Sequence, residues 1–395
     1  MKLTNLIRSL ADYEPSDAKF ISVYLGEREN EGGPEATRIW LKNEMAAAEN
    51  EFEPDSDEWS RYREVTERIE EFLDSERDES ASGVAIFASL ADDSLFETLQ
   101  LDEPFPNNRF FMFGRPHIYP LARIVDQNPK YAVLWADTNK ADIYIFGGEN
   151  HLDVETETRA KVEEIHNDKT RGTKVGGWSQ ARYQRHVGNF HLQHAKETVE
   201  ELERLMKQAN VQHLVLCGDE ATIMPVLRPQ LSKETEDRVI TALNMSQYAS
   251  EEEIREKTHE AVRMHTAERY LACVERVVGA AKAAAGLGTL GVEETLAALS
   301  NGQVEELVLS SVFEHINYSP KRVEKVLDAY APGDDNSGSE ELPEASEKRQ
   351  IADELLVRAM NSAARITFVE EDTLLKEAGG VGAVLRYNMN ATASV

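Results

Sequence analysis

Apolar residues in the first third of the chain fall into short continuous runs and into helical spacing. The run Phe20–Leu25 predicts a buried strand, and the runs Val84–Ala88 and Leu95–Leu101 predict two more. Between them, apolar residues recur at steps of three and four, which places them on one face of a helix. These residues are Trp59, Tyr62, Val65, Ile69, Phe72 and Leu73. The mixture predicts an α/β domain over residues 1–128.

The middle of the chain predicts a second α/β domain, residues 129–248. Two apolar runs, Tyr131–Asp137 and Ala141–Gly147, are separated by a short polar turn, a spacing typical of a β-hairpin. A polar loop follows, and then a long helix over residues 179–209 and the strand His213–Cys217.

Residues 249–395 predict a third α/β domain. The pattern predicts, in order, a helix from residue 249 to Ala285, a glycine-rich turn, the helix Val292–Leu299, the strand Val304–Ser310, a helix from Ile351, the strand Arg365–Val369 and a glycine-rich tail. Residues 332–345 are rich in Gly, Ser, Pro and acids and predict a flexible insertion. The predicted fold class is therefore α/β with three domains.

Composition and charge narrow the possible functions. The 395 residues include 43 Lys and Arg against 72 Asp and Glu, a net charge of −29, and 41% of them are hydrophobic. This hydrophobic content suffices for packed cores. The strong negative charge argues against nucleic-acid binding over the whole surface, because it repels phosphate.

Cellular location and metal content are constrained by a few residues. Cys217 and Cys273 are the two cysteines, too few for a disulfide framework or a cysteine-rich zinc site. No apolar run reaches the length of a membrane span, and Asp12 and Glu14 interrupt any signal-peptide core. We therefore expect a cytoplasmic protein without a metal, a cofactor or a membrane partner.

One stretch departs from the acidic composition. Residues 169–196, here called the basic segment, contain no Asp or Glu in 28 positions. Its first part has three glycines and no periodicity, which predicts a loop, and its second part is helical. A basic loop that leads into a helix N-terminus is suited to phosphate contact. The candidate RNA-binding residues are Lys169, Arg171, Lys174, Gly176, Gly177, Trp178, Ser179, Arg182, Arg185 and Lys196.

The helical part of the basic segment has two faces. Helical spacing separates an apolar face of Val187, Phe190, Ala195, Leu202 and Leu205 from an opposite face of Arg182, Arg185, Asn189, Gln193 and Lys196. His191 and His194 point to the apolar face and are interpreted as half-buried structural histidines. The alternative for the basic residues is a solvated face that balances acidic neighbours. Trp178 is either an anchor on its own domain or a ring that stacks on a base.

The basic segment resembles the archaeal and eukaryotic class-one release factors, their relative Pelota and bacterial homologues. Gly176-Gly177-Trp178-Ser179 is similar to that family's Gly-Gly-Gln loop and the Ser after it, and Arg182-Tyr183-Gln184-Arg185 resembles its Arg-Phe-x-Arg. In the last domain, Gly291–Leu296 looks like the family's Gly-Val-Asp-Asp-Thr-Leu, and Gly379–Tyr387 looks like its Gly-Gly-Ile-Gly-Gly-Ile-Leu-Arg-Tyr ending. The resemblance implies ribosome binding in the A site, with the loop in the peptidyl-transferase region. It also implies that the third domain binds partners, among them a GTPase like elongation factor Tu.

The chain also departs from that family. The stop-codon motifs Asn-Ile-Lys-Ser and Tyr-x-Cys-x-x-x-Phe are missing from the first domain, and the first cysteine is Cys217. We therefore expect no stop-codon decoding. Trp178 stands where the family's catalytic Gln lies, and Gln180 takes that position only if two residues are inserted. Ester hydrolysis needs donors placed to within about 3 Å of the developing oxyanion, so the displacement argues against it.

Three functional hypotheses follow. The first is a ribosome-binding factor that occupies the A site of idle or stalled ribosomes, in hibernation or rescue, without hydrolysis. The second is a peptidyl-tRNA hydrolase in which Gln180 orients water. The third is a metal-dependent nuclease built on Asp137, Asp142 and Asp219, which lie at predicted strand ends, where carboxylates commonly form turns. Residues 286–291 fit G-x-G-x-x-G, but a helix precedes them, so we expect a turn and no dinucleotide site.

Overall fold

The structure, a computed structural model, contains helices and strands in three sheets, which confirms the α/β fold class. It describes residues 3–14, 18–26, 33–78, 80–91, 95–101, 104–138, 140–147, 160–162, 178–246, 248–283, 286–312, 315–330, 344–370 and 373–388. The chain forms two compact units, one made of residues 1–127 and 269–395 and the other of residues 128–148 and 153–268. Each predicted domain contains one sheet, and the division into three domains stays a prediction.

The first sheet is antiparallel, with strand order β3-β2-β1-β4. Its segment contains α1 (Leu3–Ala11), β1 (Phe20–Gly26), α2 (Gly33–Glu49), α3 (Asp57–Glu71), a π-turn (Phe72–Glu76), β2 (Gly83–Ser89), β3 (Phe96–Leu101), β4 (Arg109–Phe113) and α4 (Tyr119–Gln127). The predicted helical face is confirmed, since Tyr62 and Ile69 are buried against the inner side of β1 and β2. Ser56 begins α3, because its side chain accepts a hydrogen bond from the Trp59 amide at 3.0 Å.

The last sheet belongs to the same unit and has the order β10-β13-β11-β12. Its segment contains the carboxyl-terminal part of α8 (Glu251–Lys282), β10 (Gly288–Leu290), α9 (Val292–Ser300), β11 (Val304–Ser310), α10 (Pro320–Tyr330), α11 (Glu344–Asn361), β12 (Arg365–Val369), α12 (Thr373–Glu377) and β13 (Val381–Leu385). Leu6, Leu121 and Phe111 of the first segment share one hydrophobic core with Leu355 and Phe368. The two ends of the chain therefore fold together.

The middle unit has a mixed sheet with strand order β7-β6-β5-β8-β9. It contains β5 (Tyr131–Ala136), β6 (Ala141–Phe146), β7 (Ala160–Val162), α5 (Trp178–Ala209), β8 (His213–Gly218), α6 (Met224–Leu227), α7 (Lys233–Glu236), β9 (Val239–Leu243) and the first part of α8. The predicted hairpin is confirmed, because β5 and β6 pair antiparallel across the turn. β8 lies parallel to β5 on its other side.

Some predictions for the last segment were wrong in detail. The glycine-rich tail contains β13, which lies between β10 and β11 in the sheet. Glycine suits this strand because a Cβ at Gly382 would lie 2.7 Å from Val277 Cγ1. The glycine-rich turn contains β10, and α11 begins at Glu344, upstream of Ile351. Most of the predicted insertion 332–345 lies outside the described residues.

In the described part of the chain, no helix combines the length and the apolar content that a membrane crossing requires.

Candidate RNA-binding helix of the middle unit

Helix α5 is fixed to the middle sheet by its carboxyl-terminal half. Ala195 and Leu202 are fully buried, and Leu205 is nearly so, as the apolar face predicted. They pack in one cluster with Leu134 and Leu216 of the sheet. Burial of each leucine side chain stabilises this contact by about 1.5–3 kcal/mol. The buried carboxyl-terminal half therefore holds α5 in a defined position, and with it the backbone of the amino-terminal half that contains the basic residues.

The helix ends in a tight left-handed turn. Asn210 has φ of 53°, and the Val211 amide donates to the Met206 carbonyl at 2.9 Å. Asn is one of the few residues that tolerate this backbone region, so it ends the helix at low cost. With 32 residues at about 1.5 Å each, α5 is about 48 Å long.

The structure places the predicted site residues in two groups. Trp178 is the first residue of α5, so Ser179, Gln180, Arg182 and Arg185 lie in its first two turns and not in a loop. Only the backbone of these residues is described. The remaining predicted residues Lys169, Arg171, Lys174, Gly176 and Gly177 lie outside the described residues.

Lys196 and Gln193 lie on the predicted polar face, and both are exposed. Gln193 Nε2 donates to Glu197 Oε1 at 2.7 Å. Their exposure agrees with the predicted orientation of the helix for the part of the polar face that is described.

The charges of α5 run against its own dipole. The positive end of a helix dipole favours acidic residues in the first turn, yet the first turn of α5 has none. The acids lie in the other half, at Glu197, Glu200, Glu201 and Glu203. Arg204 Nε donates to Glu201 at 2.8 Å, so part of this acidic half is internally paired. An anion bound at the amino-terminal half would supply the negative charge that the first turn of α5 lacks.

His194 lies deeper than predicted. Its side chain is 1% exposed, and among the described residues neither ring nitrogen forms a hydrogen bond of good geometry, although the Lys140 backbone lies close enough to affect the ring. The hydroxyl of Thr198, one turn further along α5, is also buried and has no hydrogen-bond partner among the described residues. Burial lowers the pKa of His194, against the opposing effects of the Lys140 backbone and the Asp137 carboxylate. His194 is therefore a buried, neutral histidine at neutral pH. His191 is intermediate in exposure.

Two of the three strand-end aspartates, Asp137 and Asp219, accept hydrogen bonds that close turns. Asp137 Oδ1 accepts from the Lys140 amide at 2.8 Å and closes the β5–β6 turn. Asp219 Oδ1 accepts from the amides of Ala221 and Thr222 at 2.7 and 2.9 Å. Among the described residues, no group of three His, Cys, Asp or Glu side chains is placed to hold a metal.

Comparison with known proteins identifies the class to which the middle unit is related. Residues 116–263 match the family model described as bacterial archaeo-eukaryotic release factor family 10. This range includes the whole basic segment and helix α5. The predicted resemblance to archaeo-eukaryotic release factors is thereby confirmed over these residues. No curated protein matches the chain by sequence.

Several solved structures are also similar in outline. The archaeal translation termination factor aRF1 is 15% identical, with 98% of this chain and 97% of that chain covered and a TM-score of 0.26. A ribosome-bound archaeal Pelota, described together with ABCE1, is 13% identical, with 98% and 94% covered and a TM-score of 0.40. S. cerevisiae Dom34, a termination-like factor of RNA quality control that interacts with Hbs1, is 9% identical, with 79% and 81% covered and a TM-score of 0.38.

Proposed function

We propose that the protein is a ribosome-associated translation factor that occupies the A site without reading a stop codon. It acts on idle or stalled ribosomes, as a hibernation or rescue factor, and contacts rRNA or tRNA through the basic segment. The proposal is supported by the family match over residues 116–263, which contains this segment. The missing decoding motifs in residues 1–128 support a role that is independent of the codon.

The observation that carries the proposal is the charge order along α5. A helix stabilised only by its own sequence would favour acids in its first turn, and α5 has none there. The second half of the helix is held on an apolar core, with Leu202 fully buried. A rigid helix with an acid-free beginning is suited to present Arg182 and Arg185 to RNA phosphate.

The position of Gln180 favours binding over hydrolysis. Gln180 is the third residue of α5, so its backbone is fixed in the first helical turn. A catalytic Gln must place its amide within about 3 Å of the reacting ester, and here Trp178 and Ser179 separate Gln180 from the glycines that would let the backbone approach the ester. Peptidyl-tRNA hydrolysis through Gln180 is the alternative function.

The resemblance extends the proposal to a partner and a compartment. We propose that a GTPase related to elongation factor Tu delivers the protein to cytoplasmic ribosomes, and that residues 249–395 contribute to this contact. The archaeal Pelota structure is ribosome-bound, and yeast Dom34 interacts with Hbs1. Ribosomes and a protein related to Hbs1 are therefore the first partners to test.

Release of labelled peptide from ribosomes with peptidyl-tRNA and an empty A site tests the proposal. Binding is followed in the same samples. Gln180→Ala is compared with Gln193→Ala, a control on the exposed polar face of the same helix. We expect binding without release in all three proteins. Release that Gln180→Ala abolishes and Gln193→Ala retains would establish the hydrolase and overturn the non-catalytic proposal.

A further inference from the structure

A surface groove in the unit of residues 1–127 and 269–395 concentrates arginines on an otherwise acidic protein. Its volume is about 550 Å³. The charged residues that line it are Arg8, Asp12, Glu305, Arg365 and Arg386, and all five are exposed. They come from α1, β11, the start of β12 and the end of β13, so the groove exists only when both ends of the chain have folded together.

The three guanidinium groups differ in how firmly they are held. Arg386 Nη2 donates to the carbonyls of Ser362 and Ala363 at 3.2 and 3.0 Å, which fixes the side chain at the groove wall. Arg365 Nη1 lies 3.8 Å from Glu306 Oε2, and its side chain is 69% exposed. Arg8 lies on the exposed side of α1, and no described residue forms an ion pair with it. Arg8 and Arg365 therefore retain donors for a ligand.

The remaining wall is a tight turn at the end of α11. The Ala364 amide donates to the Ala359 carbonyl at 2.9 Å, and Ala363 has φ of 51°. This backbone region normally favours Gly at the end of a helix. The turn directs the carbonyls of Ser362 and Ala363 to Arg386, so it sets the position of that guanidinium.

We propose that this groove binds a ribose-phosphate segment of an RNA strand. Guanidinium forks match phosphate oxygens, and Arg8 and Arg365 provide two of them. Asp12 and Glu305 would repel a bare polyanion, but carboxylates accept hydrogen bonds, and the ribose 2′-hydroxyl is a donor that DNA lacks. Adjacent cationic and acidic groups therefore fit RNA better than DNA or inorganic phosphate. The proposal does not rest on the function of the basic segment.

Binding of a labelled single-stranded RNA, followed by fluorescence anisotropy at several salt concentrations, tests this site. All proteins carry Arg182→Gln and Arg185→Gln, so that the basic segment contributes less to the signal. The groove variant adds Arg8→Gln and Arg365→Gln. The control adds Arg63→Gln and Arg322→Gln, two exposed arginines outside the groove with the same total charge change.

We expect the groove variant to bind about tenfold more weakly than the control. We also expect its slope of log affinity against log salt to fall by about 1.4, because a single strand contributes about 0.7 per phosphate contact.

Asp12→Asn with Glu305→Gln should reduce the preference for RNA over DNA of the same sequence. Displacement of the labelled strand by a free ribonucleotide would indicate a site for a single nucleotide, and its absence would indicate a site for a strand. Equal weakening by groove and control variants, with melting temperatures unchanged, would overturn the proposal. That result would leave the proposed ribosome binding open, because ribosome binding is measured in a separate experiment.

Discussion

Both units have apolar cores, but they differ in the buried polar groups that accompany those cores. In the unit of residues 1–127 and 269–395, distant parts of the sequence are joined by buried hydrogen bonds. His117 Nδ1 and Asp353 Oδ2 are 2.6 Å apart, and both residues are buried. In the middle unit, helix α5 packs on an apolar core, and the buried ring nitrogens of His194 form no hydrogen bond of good geometry with a described residue.

Asp353 shows what the buried polar contacts achieve. Its other oxygen, Oδ1, accepts from the amides of Ile118 and Tyr119, each at 3.0 Å, and so satisfies the amino-terminal end of α4. At the opposite end of α4, Asp126 Oδ2 accepts from the Phe368 amide at 2.7 Å. Directional contacts at both ends fix α4 in one position against residues more than two hundred positions away. Apolar packing alone is less specific about such positions.

The difference also separates the tasks of the two units. The buried polar contacts define one arrangement of the chain ends, which includes the groove of Arg8, Arg365 and Arg386. The apolar core under α5 holds the helix in place while its polar face, with Lys196, stays exposed for a ligand. The variants below test this difference, in order of decreasing expected effect.

Asp353→Ala should have the largest effect on stability. It removes one acceptor group from His117, Ile118 and Tyr119 together and leaves their donors buried. Breaking a buried polar contact of this kind costs about 3–5 kcal/mol. Hydrogen exchange should increase in 118–127 and 351–361 and remain unchanged in 195–206. Asp74→Ala, which removes an exposed partner of Arg38, is the control and should cost less than about 1 kcal/mol.

Leu202→Ala should affect the other unit by a slightly smaller amount. The side chain is fully buried in the core under α5. Truncation of such a leucine costs about 2–5 kcal/mol, through lost burial and a cavity. Hydrogen exchange should now increase in 195–206 and remain unchanged in 118–127. Leu192→Ala, at a half-exposed position of the same helix, is the control. Increased exchange in both units from either buried variant would contradict their separate stabilisation.

The smallest effect should be a pH dependence confined to the middle unit. Burial lowers the pKa of His194 from its ordinary value of 6.5. Below that value the unfolded chain binds a proton that the folded unit resists, so stability should fall as the pH decreases from neutral. The charged neighbours are Asp137 and Glu197, which favour protonation, and His191, which opposes it.

His194→Leu should remove this part of the pH dependence, as measured by urea unfolding at pH 7 and pH 5.5. The same variant should not weaken the unit at pH 7, because it replaces a buried imidazole, whose nitrogens form no hydrogen bond of good geometry with a described residue, by an apolar side chain. A wild type and a variant that lose stability in parallel would show that His194 does not titrate on unfolding.

The sequence predicted the elements whose patterns are local. The apolar runs Phe20–Leu25, Tyr131–Asp137 and Val304–Ser310 each became a strand, and the helix predicted from residue 179 begins at Trp178. It failed for β13 (Val381–Leu385), because glycines there serve close packing and reduce the apolar signal. Helices α1 and α4 were not predicted either, because each is an amphipathic helix of only nine residues.

Contacts between distant residues were beyond the reach of pattern analysis. Nothing local in the sequence pairs His117 with Asp353, and nothing local gathers Arg8 with Arg365 and Arg386. One signal was present: Arg386 lies in the Arg-Tyr ending that carried part of the family resemblance. Of the candidate RNA-binding residues, the structure describes the side chain of Lys196 and confirms that it is exposed.

Co-sedimentation with vacant ribosomes at near-physiological salt tests the central claim most directly. Wild type is compared with Arg182→Gln/Arg185→Gln and with Arg204→Gln/Lys207→Gln, a control of equal charge change in the acidic half of the same helix. We expect wild type and control to sediment with ribosomes. Arg182→Gln/Arg185→Gln should bind at least about tenfold more weakly, since each lost phosphate contact reduces affinity. A wild type that stays in the supernatant, or equal losses in both variants, would contradict the central claim.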